Sequence, residues 1–342
     1  MDSWYLSNLV CPRDHLELRQ QNDNLFCSTG HAYPIVEGVP VMLLDDVKQT
    51  MALVEASLNR AKNKNGIDDR MPNLYLESVG ISEEEKAGVI KLALEGHSKI
   101  DPIVSYLIAA TNGQMYKHLI GNLDSYPIPD LRLPMGNGQS FLDVGCSWGR
   151  WCIAAARKGY SVVGIDPSLG AIMAARRVSK SLGLPIKYIV ADARYLPFVS
   201  GSFENIFSYS VLQHLSRENV GLVLSEVGRV LKPRGTSLIQ MPTPFGLRSI
   251  YHQAKRRFRE ERDFEVRYWT IPALKRLFTT TIGKTEISVD CYFGLGLQMA
   301  DSGFMPLKLK LVLAASELLR RTSRFAPLLK YVADSVYVKA VK

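Results

Sequence analysis

The stretch FLDVGCSWGRW, Phe141 to Trp151, decides how the rest of the chain is read. Phe141, Leu142 and Val144 are apolar and strand-like. Gly145 breaks the pattern, Gly149 follows four residues later, and Trp151 to Ala156 continues as a helix. A strand, a glycine turn and a helix N-terminus form the first half of a nucleotide-binding βα unit. Glycine suits such a turn because a ligand must approach the backbone closely and φ can be positive. A dinucleotide site carries three glycines and seats a pyrophosphate on the helix N-terminus. Here there are two glycines and a carboxylate, Asp143, which would repel a pyrophosphate. It suits a ligand with a cationic amino-acid end, such as S-adenosylmethionine with its ammonium and sulfonium charges.

Working outward, Ser161 to Asp166 reads as a second strand ending in an acid, placed to grip a ribose diol. A third strand, Lys187 to Val190, runs into Ala191-Asp192-Ala193, with Asp192 placed to accept from an adenine amino group. Phe203 to Ser210 reads as a fourth strand, and Thr236 to Met241 as a fifth. Each acid taken alone also fits a helix N-cap or a turn. Together, glycine turn, acid and acid at three successive strand ends resemble the class I S-adenosylmethionine-dependent methyltransferase family. The match is to its subgroup with D-x-G-C-x-x-G as first motif, at Asp143, Gly145, Cys146 and Gly149. The resemblance covers Gln139 to Pro242 and the final strand. It implies an α/β fold: a Rossmann-like seven-stranded sheet with helices on both faces, a small N-terminal β-ribbon and a helical lid. It implies a donor site made of Asp143, Gly145, Cys146, Gly149, Asp166, Pro167, Asp192, Ala193, Ser210 and Gln213, with Tyr116 reaching in from the lid.

Residues 1–45 read as a small module, with Cys11, Asp14 and His15 followed by Cys27 and His31 between short β-like stretches. A segment this short needs a staple, and thiolate and imidazole are zinc ligands. It resembles the zinc-ribbon-like activators of tRNA methyltransferases and the zinc module of a bacterial rRNA guanine methyltransferase family. That resemblance implies Zn²⁺ held by Cys11, Cys27 and His31. Asp14 stands where the second cysteine of C-x2-C belongs and is the first choice as fourth ligand; His15 is the second. A metal-free ribbon in which Cys27 and His31 only pack is the alternative.

Residues 46–135 read as a helical linker or lid, with helices over Val47 to Ala61, after a capping-box start at Ser82, and from Asp101-Pro102, and with a loop at Lys62 to Gly66. Residues 136–342 read as the donor-binding domain. Two enlarged connections, 243–271 and 294–333, lie where acceptors bind in this fold, and long connections are usually functional. The first supplies Arg248, Tyr251, Arg267, Tyr268 and Trp269 as acceptor-binding candidates.

Of 342 residues, 22% are charged and 46% hydrophobic, a globular composition. The net charge of +9 is uneven: residues 243–342 hold 18 Lys+Arg and 9 Asp+Glu, while residues 1–242 balance. Such a surplus suits RNA, anionic lipid or a phosphorylated acceptor, or is a solvated face. The helical stretch Leu307 to Leu319, ringed by cations, permits peripheral membrane contact. No leader and no transmembrane run is read. Five scattered cysteines point to a reducing, cytoplasmic setting.

Methyl transfer is an in-line displacement that asks the protein chiefly to align the acceptor. An oxygen or nitrogen acceptor also needs a base. His214, at the carboxyl end of the fourth strand, is the first candidate and His252 the second; a backbone-satisfied helix-start histidine is the plain alternative for His214. No Asn-Pro-Pro-Tyr-like motif follows the fourth strand, which favours a small-molecule or sugar- or lipid-linked acceptor and O-methylation. An RNA base methyltransferase and a non-catalytic activator subunit are the other readings.

Overall fold

The computed structural model describes residues 1–63, 73–96, 98–111, 116–294 and 296–342. A short helix, α1 (Ser3–Asn8), precedes a four-stranded antiparallel sheet of β1 (Leu18–Gln21), β2 (Asn24–Cys27), β3 (Ala32–Val36) and β4 (Val39–Pro40), in that order. Asn22 turns the chain between β1 and β2 at φ 50°, a left-handed conformation that asparagine tolerates. This ribbon is built into the edge of the larger domain. Leu9 bridges to Phe198 and Val41 to Val190, and the Tyr5 hydroxyl donates to the Tyr188 carbonyl at 3.1 Å. Leu25 and Tyr33 share one core with Ile189 and Phe198, so the neighbouring sheet supplies apolar surface that so short a segment lacks.

Three helices follow, α2 (Ala52–Lys62), α3 (Glu83–Glu95) and α4 (Pro102–Thr111). The capping box forms between Ser82 and Glu85, and Asp101 accepts from the Ile103 amide beside Pro102. Val89, Ile103, Val104 and Ile108 pack on Trp148 and Ile153. The Lys62–Gly66 loop and the passage Thr111–Tyr116 lie in part outside the described residues.

The main sheet comprises β5 (Ser140–Val144), β6 (Ser161–Asp166), β7 (Lys187–Val190), β8 (Phe203–Ser208), β9 (Leu231–Pro242), β10 (Lys284–Cys291) and β11 (Ser335–Val341). Its order is β10-β11-β9-β8-β5-β6-β7, and β11 alone runs antiparallel. This is the seven-stranded, Rossmann-like sheet expected from the motif. Helices α5 (Arg150–Arg157) and α6 (Leu169–Ser181) cover one face through Phe141, Tyr188 and Phe207. Helices α7 (Arg217–Val230) and α9 (Ile271–Thr281) cover the other through Leu142, Val144, Ile206 and Ile239. With both faces buried, the strands read as nearly continuous apolar runs. The strand order reverses at β5, between β6 and β8, and opens a crevice at their carboxyl ends.

Several boundaries differ from the sequence reading. The helix read from Val47 begins at Ala52, and the strand read to Ser210 ends at Ser208. The strand read from Thr236 begins at Leu231, which pairs with Phe203 across a register shift. The sixth strand, whose apolar pattern reads as Glu286 to Phe293, runs from Lys284 to Cys291, because its partner β11 pairs down to Val341.

Candidate functional site

The turn after β5 is fastened to β6: the Gly145 and Cys146 amides both donate to the Ile165 carbonyl at 2.8 Å. Gly145 has φ 76°, and a Cβ there would fall 2.4 Å from a Val211 methyl. Gly149 has φ 83° and starts α5, and a Cβ there would meet the Tyr188 hydroxyl at 2.6 Å. The close approach that demands glycine is therefore made by the protein's own side chains.

The three acids at the strand ends differ in what they offer. Asp143 is 1% exposed and accepts from the Cys152 thiol at 3.2 Å. Burial pushes its carboxyl up to about 7, and the neighbouring Asp166 charge adds to the shift. It lies beneath the turn, not on its surface. Asp166 is partly exposed, its two oxygens accepting from the Ser147 and Ser168 amides at 2.9 Å each. Burial raises it to about 6 against those two amides. A carboxylate has about four lone-pair positions, so each oxygen keeps one for a vicinal diol. Asp192 is 8% exposed and gripped by Arg194, whose guanidinium lies 2.7 Å from one oxygen. Of the remaining donor-site candidates, the Pro167 carbonyl accepts from Ser57 of α2, Ala193 is partly buried, and Cys146 is buried with its sulfur under Gly164. Tyr116 is fully buried and donates to Asp301 at 2.7 Å.

Past β8 the side chains form a relay. Ser210, at φ 62°, accepts from Gln213 at 2.7 Å, and the same Gln213 amide lies 3.1 Å from His214 Nε2. His214 Nδ1 is 2.7 Å from the Phe264 carbonyl, so Nδ1 carries the proton and Nε2 the lone pair. The imidazole stacks on the Phe264 ring at 3.8 Å. Burial lowers its pKa to about 4, opposed by the Phe264 carbonyl and assisted by the Arg267 charge. His214 is thus neutral at physiological pH. His252 sits on α8 (Leu247–Lys255) and accepts from Arg248 at 3.2 Å; burial and neighbouring cations lower its pKa too.

The acceptor candidates of 243–271 are largely committed inside the segment. Arg267 donates to the carbonyls of His214, Asp263 and Glu265, latching the segment onto the β8 end. Trp269 is 5% exposed, with Arg217 over its ring at 4.3 Å. Tyr268 lies under Arg256, which is itself tied to Glu261 and the Val266 carbonyl. Arg248 packs against Gly294, and Tyr251 is exposed. An open concavity of about 690 Å³ is lined by His252, Lys255, Arg257, Phe264 and Tyr268, among others.

Two buried acids carry no local sequence signal. Asp301, 1% exposed, accepts from Tyr116, from Arg150 at 3.2 Å and from the Gln298 amide, joining the chain before β5 to the start of α5. Asp290, 2% exposed, accepts from Arg132, Tyr209 and Ser335. Their partners lie far away in the chain, so spacing could not reveal them.

In the ribbon, one ligand atom each of Cys11, Asp14, Cys27 and His31 lie within 4.8 Å of one another. His31 Nδ1 is 3.5 Å from Cys11 Sγ, 3.4 Å from Cys27 Sγ and 3.4 Å from Asp14 Oδ2. The edges of a tetrahedron with zinc bond lengths of about 2.0–2.3 Å are about 3.3–3.8 Å, so the three spacings around His31 fit that ion. Between the two choices for fourth ligand, Asp14 faces the cluster, whereas His15 points to Glu226 at 4.0 Å.

Residues 141–235 match the family model described as a methyltransferase domain. That stretch is a methyltransferase domain. The ubiquinone biosynthesis O-methyltransferase of Azorhizobium caulinodans is 29% identical over 102 residues, 30% of this chain and 40% of that protein. Methyltransferase GfsG of Streptomyces halstedii is 35% identical over 107 residues, 30% of this chain and 38% of that protein. The chain thus aligns with about two-fifths of the curated relatives it matches. Among solved structures, Haemonchus contortus phosphoethanolamine N-methyltransferase 2 in complex with S-adenosyl-L-methionine gives a TM-score of 0.41 at 23% identity, over 61% of this chain and 50% of that one.

Proposed function

We propose that the chain transfers a methyl group from S-adenosylmethionine to a small-molecule acceptor, most readily at oxygen. The observation that carries this reading is Asp166. It is a partly exposed carboxylate at the tip of β6, next to the switch point, with one lone pair per oxygen left for a ribose diol. The methyltransferase-domain match supports it, and its likeness to a ubiquinone biosynthesis O-methyltransferase favours oxygen. S-adenosylmethionine supplies an activated methyl on a good leaving group. The protein's part is to hold and align. Asp166 fixes the ribose, Asp143 braces the turn from below, and the Ser210–Gln213–His214 relay faces the acceptor side. With a pKa of about 4, His214 is neutral, and its Nε2 orients an acceptor hydroxyl once the Gln213 amide gives up its contact there and keeps only Ser210. It takes the proton late, once methyl–oxygen bonding has made that proton strongly acidic. Titration of the protein with S-adenosylmethionine by calorimetry, followed by labelled-donor assays on metabolite, lipid and RNA extracts, tests the reading. Absence of donor binding overturns it; label entering RNA overturns the acceptor class.

For the ribbon, we propose one Zn²⁺ held by Cys11, Asp14, Cys27 and His31, a structural role supported by the gathering of four donor atoms within 4.8 Å of one another.

A further inference from the structure

The outer surface of the two enlarged connections is unusually apolar. Of 21 large hydrophobic residues exposed among the described residues, 15 lie between Phe245 and Val332. Helix α10 (Leu307–Thr322) shows how they are arranged. Its inner face packs through Leu313, 3% exposed, and Ser316, whose hydroxyl bonds Tyr292. Its outer face carries Leu307, Leu311 and Leu318 at 71%, 64% and 67% exposure, spaced four and seven residues apart on one stripe. Lys308, Lys310 and Arg321 are exposed on either side of that stripe. Phe325 and Leu328, 89% and 79% exposed, continue it beyond the helix.

A surface helix of a water-soluble domain turns its charged residues outward. Here leucines face outward and cations flank them. The acids of the segment are withdrawn: Asp301 is buried on Tyr116 and Arg150, and Glu317 is paired with Arg320 at 2.6 Å. What the face shows to solvent is therefore apolar and cationic. Among the described residues no helix is long and apolar enough to cross a membrane.

We propose that this face docks on the surface of an anionic lipid bilayer. The α10 leucines and Phe325 enter the headgroup–acyl boundary, and Lys308, Lys310 and Arg324 meet lipid phosphates, while Arg321 at 2.9 Å joins Arg320 in neutralising Glu317. The first connection joins the same side. The Thr243 hydroxyl bonds the Ala333 carbonyl, and a Cβ on Gly246 would lie 2.5 Å from Asp334 Cα, so the turn that carries the exposed Phe245 and Leu247 lies against the end of the second connection. Docking so oriented brings the carboxyl end of β9 close to the bilayer. The inference does not depend on the methyl-transfer reading.

Cosedimentation of the full chain with phosphatidylcholine vesicles, with and without phosphatidylglycerol, tests it. Binding is expected only with phosphatidylglycerol, weakening as salt screens the cations. The double variant Leu311→Asp/Leu318→Asp should lower partitioning by more than about tenfold, since burying each leucine is worth roughly a factor of ten. Lys308→Glu/Lys310→Glu should lower it as well, with the circular dichroism of both variants unchanged. Equal binding to pure phosphatidylcholine, or unchanged partitioning in the folded variants, overturns the proposal. So does a wild-type dimer that the leucine variant splits, which would make a second copy the occupant. RNA binding lost in the lysine variant and kept in the leucine variant would likewise overturn it.

Discussion

Replacing Asp166 by asparagine is the sharpest perturbation of the donor site. The carboxylate accepts from the Ser147 and Ser168 amides at 2.9 Å each and has one lone pair left on each oxygen. Asparagine keeps a single acceptor oxygen. One of the two loop amides then faces an NH₂ group, which costs about 1–3 kcal/mol of stability. At roughly 2–4 °C per kcal/mol for a chain of this order of size, the melting temperature should fall by several degrees. A ribose diol loses at least one charge-assisted bond worth about 1.5–3 kcal/mol, so the dissociation constant for S-adenosylmethionine should rise by roughly ten- to a hundredfold. The pH dependence separates this from general loosening. Burial has raised Asp166 to about 6, so its anion, the form that grips hydroxyls, is depleted as pH falls through that value. Wild-type donor affinity should weaken below about pH 6, with Asp143, at about 7, titrating beside it. In Asp166→Asn the lower step should vanish. For stability the sign is opposite: both acids are raised, so their stabilising contribution is complete below the unfolded value of about 4 and is lost as pH rises through about 6 and 7. Calorimetric titration from acid to neutral pH reads the affinity. Unchanged donor affinity in the folded asparagine variant would refute the role given to Asp166.

Purified protein should hold about one equivalent of zinc, and Cys27→Ser or Asp14→Ala should lower it, read by elemental analysis; full occupancy in both variants would show that the four donors do not form the site. His214→Phe retains the stack on Phe264 but loses the bond to its carbonyl, so stability should fall by about 1 kcal/mol and turnover should drop at saturating donor; undiminished turnover would remove His214 from the chemistry. Because His214 is lowered to about 4, wild-type turnover should show no inflection near 6.5 from this residue, and the stability its neutral form supplies should be lost as pH falls from about 6.5 towards that value. Asp301→Ala should destabilise the chain by roughly 3–5 kcal/mol, because the buried Arg150 loses its carboxylate, and should speed proteolysis within the helical segment; an unchanged denaturant midpoint would contradict the lid anchor.

The sequence by itself determined the sheet and the place of the site. Phe141, Leu142 and Val144, and Val162, Val163 and Ile165, read as strands because glycines and turn residues bound them, and Gly145 and Gly149 punctuate the first βα turn because side chains cannot fit there. Those are local constraints, set by sterics and by periodicity over a few residues. The tertiary structure alone decided which polar groups are free. Asp143, Asp166 and Asp192 look alike as letters at strand ends. One is enclosed under Cys152, one is partly open, and one is held by Arg194. Likewise Arg267 and Trp269 read as acceptor contacts, and in the fold Arg267 bonds the His214 carbonyl while Trp269 lies under Arg217; Tyr116 reads as a donor contact, and in the fold its hydroxyl is bonded to Asp301. The ribbon's reliance on Phe198 and Ile189, and the outward turn of the α10 leucines, depend on what packs against each face. A residue's charge and hydrogen-bonding capacity are written in its chemistry, but whether that capacity is already spent depends on which partners the fold sets against it, from Arg194 two residues beyond Asp192 to Asp301, 185 residues beyond Tyr116.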